Sequence, residues 1–325
     1  MNRLALLLKR EYWEHRGGFL WTPVWISAAI LAVTVLGIIS AEIFGQRADV
    51  HIGIALSQLR DHLDAAGLEN LGNALDVSQL VFAAATSIGL SFVTFFYLLG
   101  ALYDDRRDRS VLFWKSLPVS DAATVVSKAL TAMFVIPVIA LVVATLAYVA
   151  FLVVQSLWAT THGINPLPAI AAAHPLGMFA RLVAAVPLGA LWALPTVGWL
   201  LFWSAFSKSK PFMWAVLLPI VVLFANGWLG LIGAPHVDGS NVRFAAILGR
   251  LLLSVIPGSW FHADAAIAGT AKISSIDGDH IVSAFDPSNT YALLGSLNLW
   301  IGVIVGLALL AAAVWLRGRR VETNS

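Results

Sequence analysis

The run Tyr103-Asp104-Asp105-Arg106-Arg107-Asp108-Arg109-Ser110-Val111-Leu112-Phe113-Trp114-Lys115-Ser116-Leu117-Pro118-Val119-Ser120-Asp121 is the densest cluster of charge in an otherwise apolar chain. No Asp, Glu, Lys or Arg stands between Asp76 and Asp104, nor from Ala129 to Ala180, so the run is wedged between stretches that can each cross a bilayer. A segment placed in this way must sit in water at a membrane face. Asp104 or Asp105 can cap a short helix, with Asp108 in its first turn favoured by the helix dipole and Asp105 one turn from Arg109. Val111, Trp114 and Leu117 fall at a spacing of three and give that helix an apolar edge. The helix is expected to stop before Pro118, because the residue preceding a proline is pushed out of the α region. Ser120 is then the expected N-cap of a following helix that starts near Asp121. Charge and spacing alone leave two readings open: a helix that docks on a partner, or a solvated loop.

Composition bounds the class. Of 325 residues 59% are hydrophobic and 12% charged, whereas charged residues make up about 25% of a soluble domain. The chain therefore reads as an all-α integral membrane protein forming one domain over residues 1–325. With no cysteine, disulfides, thiolate metal sites and cysteine nucleophiles are excluded. The first 16 residues lack the apolar core and small-residue cleavage site of a secretory signal, and are expected to remain. Leu4, Leu7, Leu8, Glu11, Tyr12 and His15 follow helical spacing, which predicts an amphipathic helix over 1–18 lying in the membrane interface. Gly17-Gly18 is expected to end it, with Thr22-Pro23 opening the first span.

About 20 apolar residues cross a hydrocarbon core of about 30 Å. On that measure six spans are expected, at 19–41, 78–102, 122–157, 176–204, 212–233 and 291–316. Lys128, in the first turns of the third, is expected to snorkel back to water, and Pro187 and Pro195 to bend the fourth. Residues 42–76 form a polar interval with a surface helix suggested by Leu56, Leu59 and Leu63. Between the last two spans, residues 243–269 show two short apolar helical patterns around Pro257-Gly258, which predicts a re-entrant pair, although helices lying flat on the surface fit the same pattern. Placing the N-terminus, residues 103–128, the turn Ser207-Lys208-Ser209-Lys210 and the C-terminus on one side gathers 14 of the 20 Lys and Arg there. The positive-inside rule makes that side cytoplasmic.

Catalytic and nucleotide motifs were sought and are missing: there is no Gly-x-x-x-x-Gly-Lys-Ser/Thr loop, no His-Glu-x-x-His helix and no Gly-x-Ser-x-Gly elbow. His262 with Asp264 is the nearest approach to a metal ligand pair, and its spacing is no metal signature. The polar residues inside the spans are hydroxyls and indoles: Thr86, Ser87, Ser91 and Thr94 in the second, and Trp192, Thr196 and Trp199 in the fourth. They are read either as helix packing or as the wall of a substrate path.

Taken together, the interfacial helix, two spans, the charged loop ending Leu117-Pro118-Val119-Ser120, the short basic turn and the long interval before the last span resemble the membrane subunit of ABC-2 type exporters over essentially the whole chain. Asp105-Arg106-Arg107-Asp108 matches that family's charged run, Ser110 its hydroxyl position and Leu117-Pro118 its ending, while Arg109 stands where glycine is common. The resemblance implies that residues 104–117 form a cytoplasmic coupling helix on which a separate ATP-binding subunit docks. The contacts would come from Asp104, Asp105, Arg106, Arg107, Asp108, Arg109, Val111, Trp114 and Leu117. It further implies a permease that is not itself an enzyme and binds no cofactor, ATP and Mg being held by the partner. A second copy, or a similar permease, would complete a path for a hydrophobic or amphipathic substrate (lipid, peptide or drug) across a bacterial inner membrane. No nucleic-acid partner is expected. The rival classes are an intramembrane lipid-modifying enzyme, which would need the external His and Asp residues, and a passive assembly subunit.

Overall fold

The computed structural model describes residues 3–47, 65–108, 119–232, 240–260 and 285–322, and every regular element among them is helical. In a chain this poor in charge the helix is the element that satisfies each backbone group internally. Helix α1 (Arg3–Arg16) runs through a π turn (Gly17–Trp21) into α2 (Thr22–Arg47). Helix α3 (Ala65–Arg107) has 43 residues and so measures about 65 Å. Helix α4 (Asp121–Leu130) passes through a second π turn (Thr131–Val135) into α5 (Ile136–Thr161). The short α6 (Leu167–Ala172) precedes α7 (Pro175–Phe206). A third π turn (Met213–Leu217) leads into α8 (Leu218–Leu231), and α9 (Ser240–Leu253), α10 (Pro287–Ala292) and α11 (Leu297–Glu322) follow.

Among the described residues five helical runs are long and apolar enough to cross a membrane: Leu4–Phe44, Gly67–Arg107, Asp121–Thr161, Leu167–Phe206 and Leu297–Arg319. The segment expected as a fifth span contains an apolar helix, Met213–Leu229, that falls short of that length. The last helix starts at Leu297 rather than 291 because Ser296 adopts an extended conformation and its Oγ accepts from the Leu299 amide at 3.3 Å. The residues before Ser296 fold separately as α10 and a single 3-10 turn.

The expected break at Gly17-Gly18 is absent, and the reason recurs. Each π turn ends two residues before a proline, namely Pro23, Pro137 and Pro219. A proline inside a helix has no N–H for the carbonyl four residues back, and its ring clashes with that carbonyl. Here those carbonyls belong to Phe19, Met133 and Ala215, the central residue of each widened turn. The extra residue swings the carbonyl off the ring and lets the helix continue. The Ala215 oxygen, relieved of its own amide, accepts from Trp199 Nε1 at 3.0 Å. Thr22-Pro23 is therefore the interior of a kinked helix and not its start.

The most extensive helix pairing is between α7 and α11, and glycines make it possible. A Cβ on Gly306 would lie 2.6 Å from the Leu194 carbonyl, and one on Gly198 would lie 2.5 Å from the Gly306 oxygen. Gly302 and Gly306 are spaced as in the small-residue motif that lets membrane helices approach backbone to backbone.

Of the expected re-entrant pair, the first half is present as α9, ending in a turn where Gly258 takes φ 80°, a left-handed conformation suited to glycine. The second half lies outside the described residues. So do Leu56, Leu59, Leu63, His262, Asp264 and the coupling residues Arg109, Val111, Trp114 and Leu117.

Candidate functional site

At Asp104 the sequence predicts the start of a new helix, but the structure has the last turn of α3. The helix runs on through Arg107, and the Asp108 amide closes onto the Asp104 carbonyl at 2.9 Å. The capping role expected of Asp104 or Asp105 therefore does not arise, and Arg109, the expected i,i+4 partner of Asp105, lies outside the described residues. In an unbroken helix Asp104, Arg107 and Asp108 stay on the water side, and Arg107 bridges Asp104 at 3.4 Å and Asp108 at 3.1 Å. Asp105 and Arg106 turn inward instead.

Arg106 donates to the last carbonyls of α7. It reaches Ala205 O at 2.6 Å, Ser207 O at 3.0 Å and Ser204 O, while Ser204 Oγ accepts from the Leu102 and Tyr103 amides at 2.9 and 3.0 Å. A helix C-terminus carries unpaired carbonyls and partial negative charge, so a guanidinium is the side chain suited to closing it.

Asp105 joins a buried ionic layer. Its Oδ2 lies 3.2 Å from Arg317 Nη1 of α11 and 3.6 Å from Lys128 Nζ of α4. Lys128 also contacts Glu11 Oε1 of α1 at 3.2 Å, Tyr97 donates to Glu11 Oε2 at 2.8 Å, and Arg317 Nε pairs with Asp121 at 3.0 Å. Glu11 and Lys128 are 1% and 2% exposed. Lys128 therefore does not snorkel: it lies between two carboxylates, and water could offer an ammonium little more. Charges this deep are tolerated only when paired and hydrogen-bonded. The helix that follows Asp121 is capped as the sequence predicts, with Ser120 Oγ accepting from the Ala123 amide at 3.1 Å.

These bonds bring α1, the end of α3, α4 and the ends of α7 and α11 together at one end of the bundle. The opposite end is held separately: Glu42 meets His162 at 3.0 Å, Asp76 accepts from the His174 amide at 3.0 Å, and Arg181 pairs with Asp286 at 3.1 Å.

Of the expected path residues, Thr86 and Thr94 donate to carbonyls of their own helix and are buried against neighbours. Ser87 borders a small cavity beside Pro257 and Trp260, while Ser91 donates to Val255 O at 3.2 Å. Trp192 and Thr196 hold the α9 segment. Thr196 Oγ1 donates to Arg250 O and accepts from the Ser254 amide, both at 3.1 Å, and Trp192 Nε1 donates to Ser259 Oγ at 3.0 Å. Arg250 lays its guanidinium over the Trp192 ring, 3.3 Å from the centroid, and donates to the Trp192 carbonyl at 2.7 Å. That carbonyl lies beside the ladder opening made by Pro195, where extra acceptor capacity is to be expected.

Two cavities adjoin along α3. One, of about 650 Å³, occupies the crook between α1 and α3 and is bordered by Glu14, His15, Phe96, Tyr97 and Asp104. The other, of about 520 Å³, is apolar and lies between α3, α8 and α9, and both share Phe92 and Phe96. Among the described residues no group of three or more His, Cys, Asp and Glu side chains is arranged to hold a metal ion.

Glu11, Tyr97, Asp121, Lys128, Arg250 and Arg317 were not singled out from sequence as a site. A signal existed for the charged ones: Glu11 sits on the apolar face of α1, Lys128 inside an uncharged span and Arg250 in an apolar half-helix. What spacing could not supply was which of them meet. No family model, curated protein or solved structure matches the chain.

Proposed function

We propose that this chain is the membrane subunit of an ATP-driven exporter of the ABC-2 type, worked by a separate ATP-binding subunit that docks on residues 104–117. Two copies, or one copy with a similar permease, would enclose the path of a hydrophobic or amphipathic substrate across a bacterial inner membrane. The observation that carries this reading is the fixing of the end of α3. The helix from which the charged loop leaves is bonded through Asp105 and Arg106 to α4, α7 and α11, and through Lys128 to α1. A force applied to the loop therefore reaches every one of those helices through short, buried bonds. A merely solvated loop would not need its root tied in this way.

Docking is tested with Trp114→Ala and Arg107→Glu, because Arg107 faces water whereas Arg106 is occupied by the α7 carbonyls. Both variants should insert and accumulate at wild-type levels. Each should lose association with the ATP-binding subunit, or its substrate-stimulated hydrolysis, by tenfold or more. Asp64→Ala serves as control. Full association and full stimulated turnover in both variants would remove the coupling role.

Orientation has its own test in this cysteine-free chain. Single cysteines at Asp64 or Asp277 are expected to react with an impermeant thiol reagent on intact cells, and those at Ser110 or Ser209 only after permeabilisation. Labelling of Ser110→Cys in intact cells would invert the proposed topology.

A further inference from the structure

We propose that the crook between α1 and α3 binds a hydrophobic organic cation, a quaternary ammonium or phosphonium ion, with its charge among Glu14, Asp104 and the Tyr97 ring and its apolar body against Phe92 and Phe96. This deepens the export reading by naming a substrate class, and rests on it only for the step of transport. Binding to the chain alone does not require it.

The cavity there, about 650 Å³ in volume, is large enough for a body of several aromatic rings. Its wall is aromatic. His15 and Phe19 stack at 5.6 Å, Tyr97 meets Phe19 edge-on at 5.2 Å and His15 at 4.8 Å, and Phe92 and Phe96 are 63% and 59% exposed. Aromatic faces attract cations, most of all those too large to be well hydrated. The π turn opens the crook on the other side, where Gly17 and Gly18 present no side chains.

The charge around the cavity has one sign in excess. Among the described residues Glu14, Asp104 and Asp105 border it, against Lys128 and His15. Lys128 is already engaged by Glu11 and Asp105, and Arg317 by Asp105 and Asp121. Glu14 and Asp104 are about half exposed and, among the described residues, pair with the part-buried Arg10 at 3.2 Å and the exposed Arg107 at 3.4 Å. Exposed pairs of this kind hold each other weakly, so both carboxylates keep acceptor sites for a cation beside them. Phe92 and Phe96 continue the wall into the apolar cavity between α3, α8 and α9, which gives a longer ligand room for its tail. An anion would meet the carboxylates, and a neutral ligand would use the aromatic wall alone.

The test uses the full chain in lipid nanodiscs without any ATP-binding subunit. Labelled tetraphenylphosphonium is the probe, triphenylphosphine oxide its neutral counterpart, and empty nanodiscs the background. Wild-type protein should bind the cation saturably and more tightly than the neutral compound. Glu14→Gln with Asp104→Asn should weaken cation binding at least tenfold and leave the neutral compound unchanged. Phe96→Ala should weaken both. Glu14 and Asp104 are surface groups, so an unchanged unfolding temperature is expected of the double variant and is checked alongside. Cation uptake no greater than in empty nanodiscs overturns the proposal, and so does saturable binding indifferent to the two carboxylates. Either result leaves the Trp114 and Arg107 docking test untouched. Conversely, failure of docking with intact cation binding refutes the export reading and not the site.

Discussion

Lys128→Met should destabilise the folded chain by roughly 3–5 kcal/mol, the usual cost of removing one partner from a buried ion pair, measured as the loss of unfolding free energy on titration with sodium dodecyl sulfate. Methionine fills most of the space, so the loss comes from charge and not from a cavity. Without the ammonium, Glu11, 1% exposed, keeps the Tyr97 hydroxyl but loses the cation paired with it, and Asp105 loses the Lys128 cation while keeping Arg317, which Asp121 shares. Glu11, Asp105 and the part-exposed Asp121 would then face one guanidinium, the first two at a depth where water cannot compensate. Adding Glu11→Gln should recover much of the loss, because the amide oxygen can still accept from Tyr97 and the orphaned charge is gone. The double variant should be more stable than Lys128→Met, and the two substitutions strongly non-additive. A loss for Lys128→Met below about 1 kcal/mol, the value of an exposed pair, would mean that water fills the layer. The same layer holds the end of α3, so if the proposed ATP-binding subunit docks on residues 104–117, Lys128→Met should also lower its stimulated hydrolysis.

Arg250→Ala should release α9 from the bundle. Thr196 still bonds the backbone of the segment, but the donor to the Trp192 carbonyl and the cation on its ring are both lost. A hydrogen bond from a charged donor contributes about 1.5–3 kcal/mol and a desolvated cation on an indole about 2 kcal/mol. Part of this is offset because alanine no longer has to keep a charge out of water. A net loss of about 2–3 kcal/mol corresponds to amide exchange across residues 240–253 that is roughly 30- to 150-fold faster. Arg250→Lys should fall between, since an ammonium keeps the charge but loses the planar guanidinium that lies on the Trp192 ring, 3.3 Å from its centroid. Unchanged exchange in Arg250→Ala would show that the apolar face of α9, through Leu248 and Leu252, holds it unaided.

Both expectations rest on charges placed where sequence reading puts none. Lys128, one and a half turns into a span, reads as a side chain that reaches back to water, and nothing in its neighbours shows that Glu11, far earlier in the chain, will arrive beside it. The charged run from Asp104 to Asp108 was legible as a cluster but not in its division. An α-helix turns 100° per residue, so once α3 continues through Arg107, Asp105 and Arg106 fall on the inward side while Asp104 and Arg107 stay out. That continuation is decided by the partners waiting at the ends of α7 and α11, not by capping preferences local to the run.

The sequence by itself determined the class of the molecule: apolar stretches too long and too uncharged for water can only be helices buried in lipid or in one another. It also located the charged run between two such stretches and the serine cap that follows it, since both depend on residues a few positions apart. Tertiary structure decided what depends on distant residues meeting. Pro23, which read as a helix start, and Pro137 and Pro219 are carried through π turns, because continuing each long helix keeps its backbone bonded and its faces packed. Five charges that read as loop and interface residues become one buried layer, because a charge withdrawn from water is stable only beside its opposite, and only the packing of α1, α3, α4 and α11 supplies that opposite.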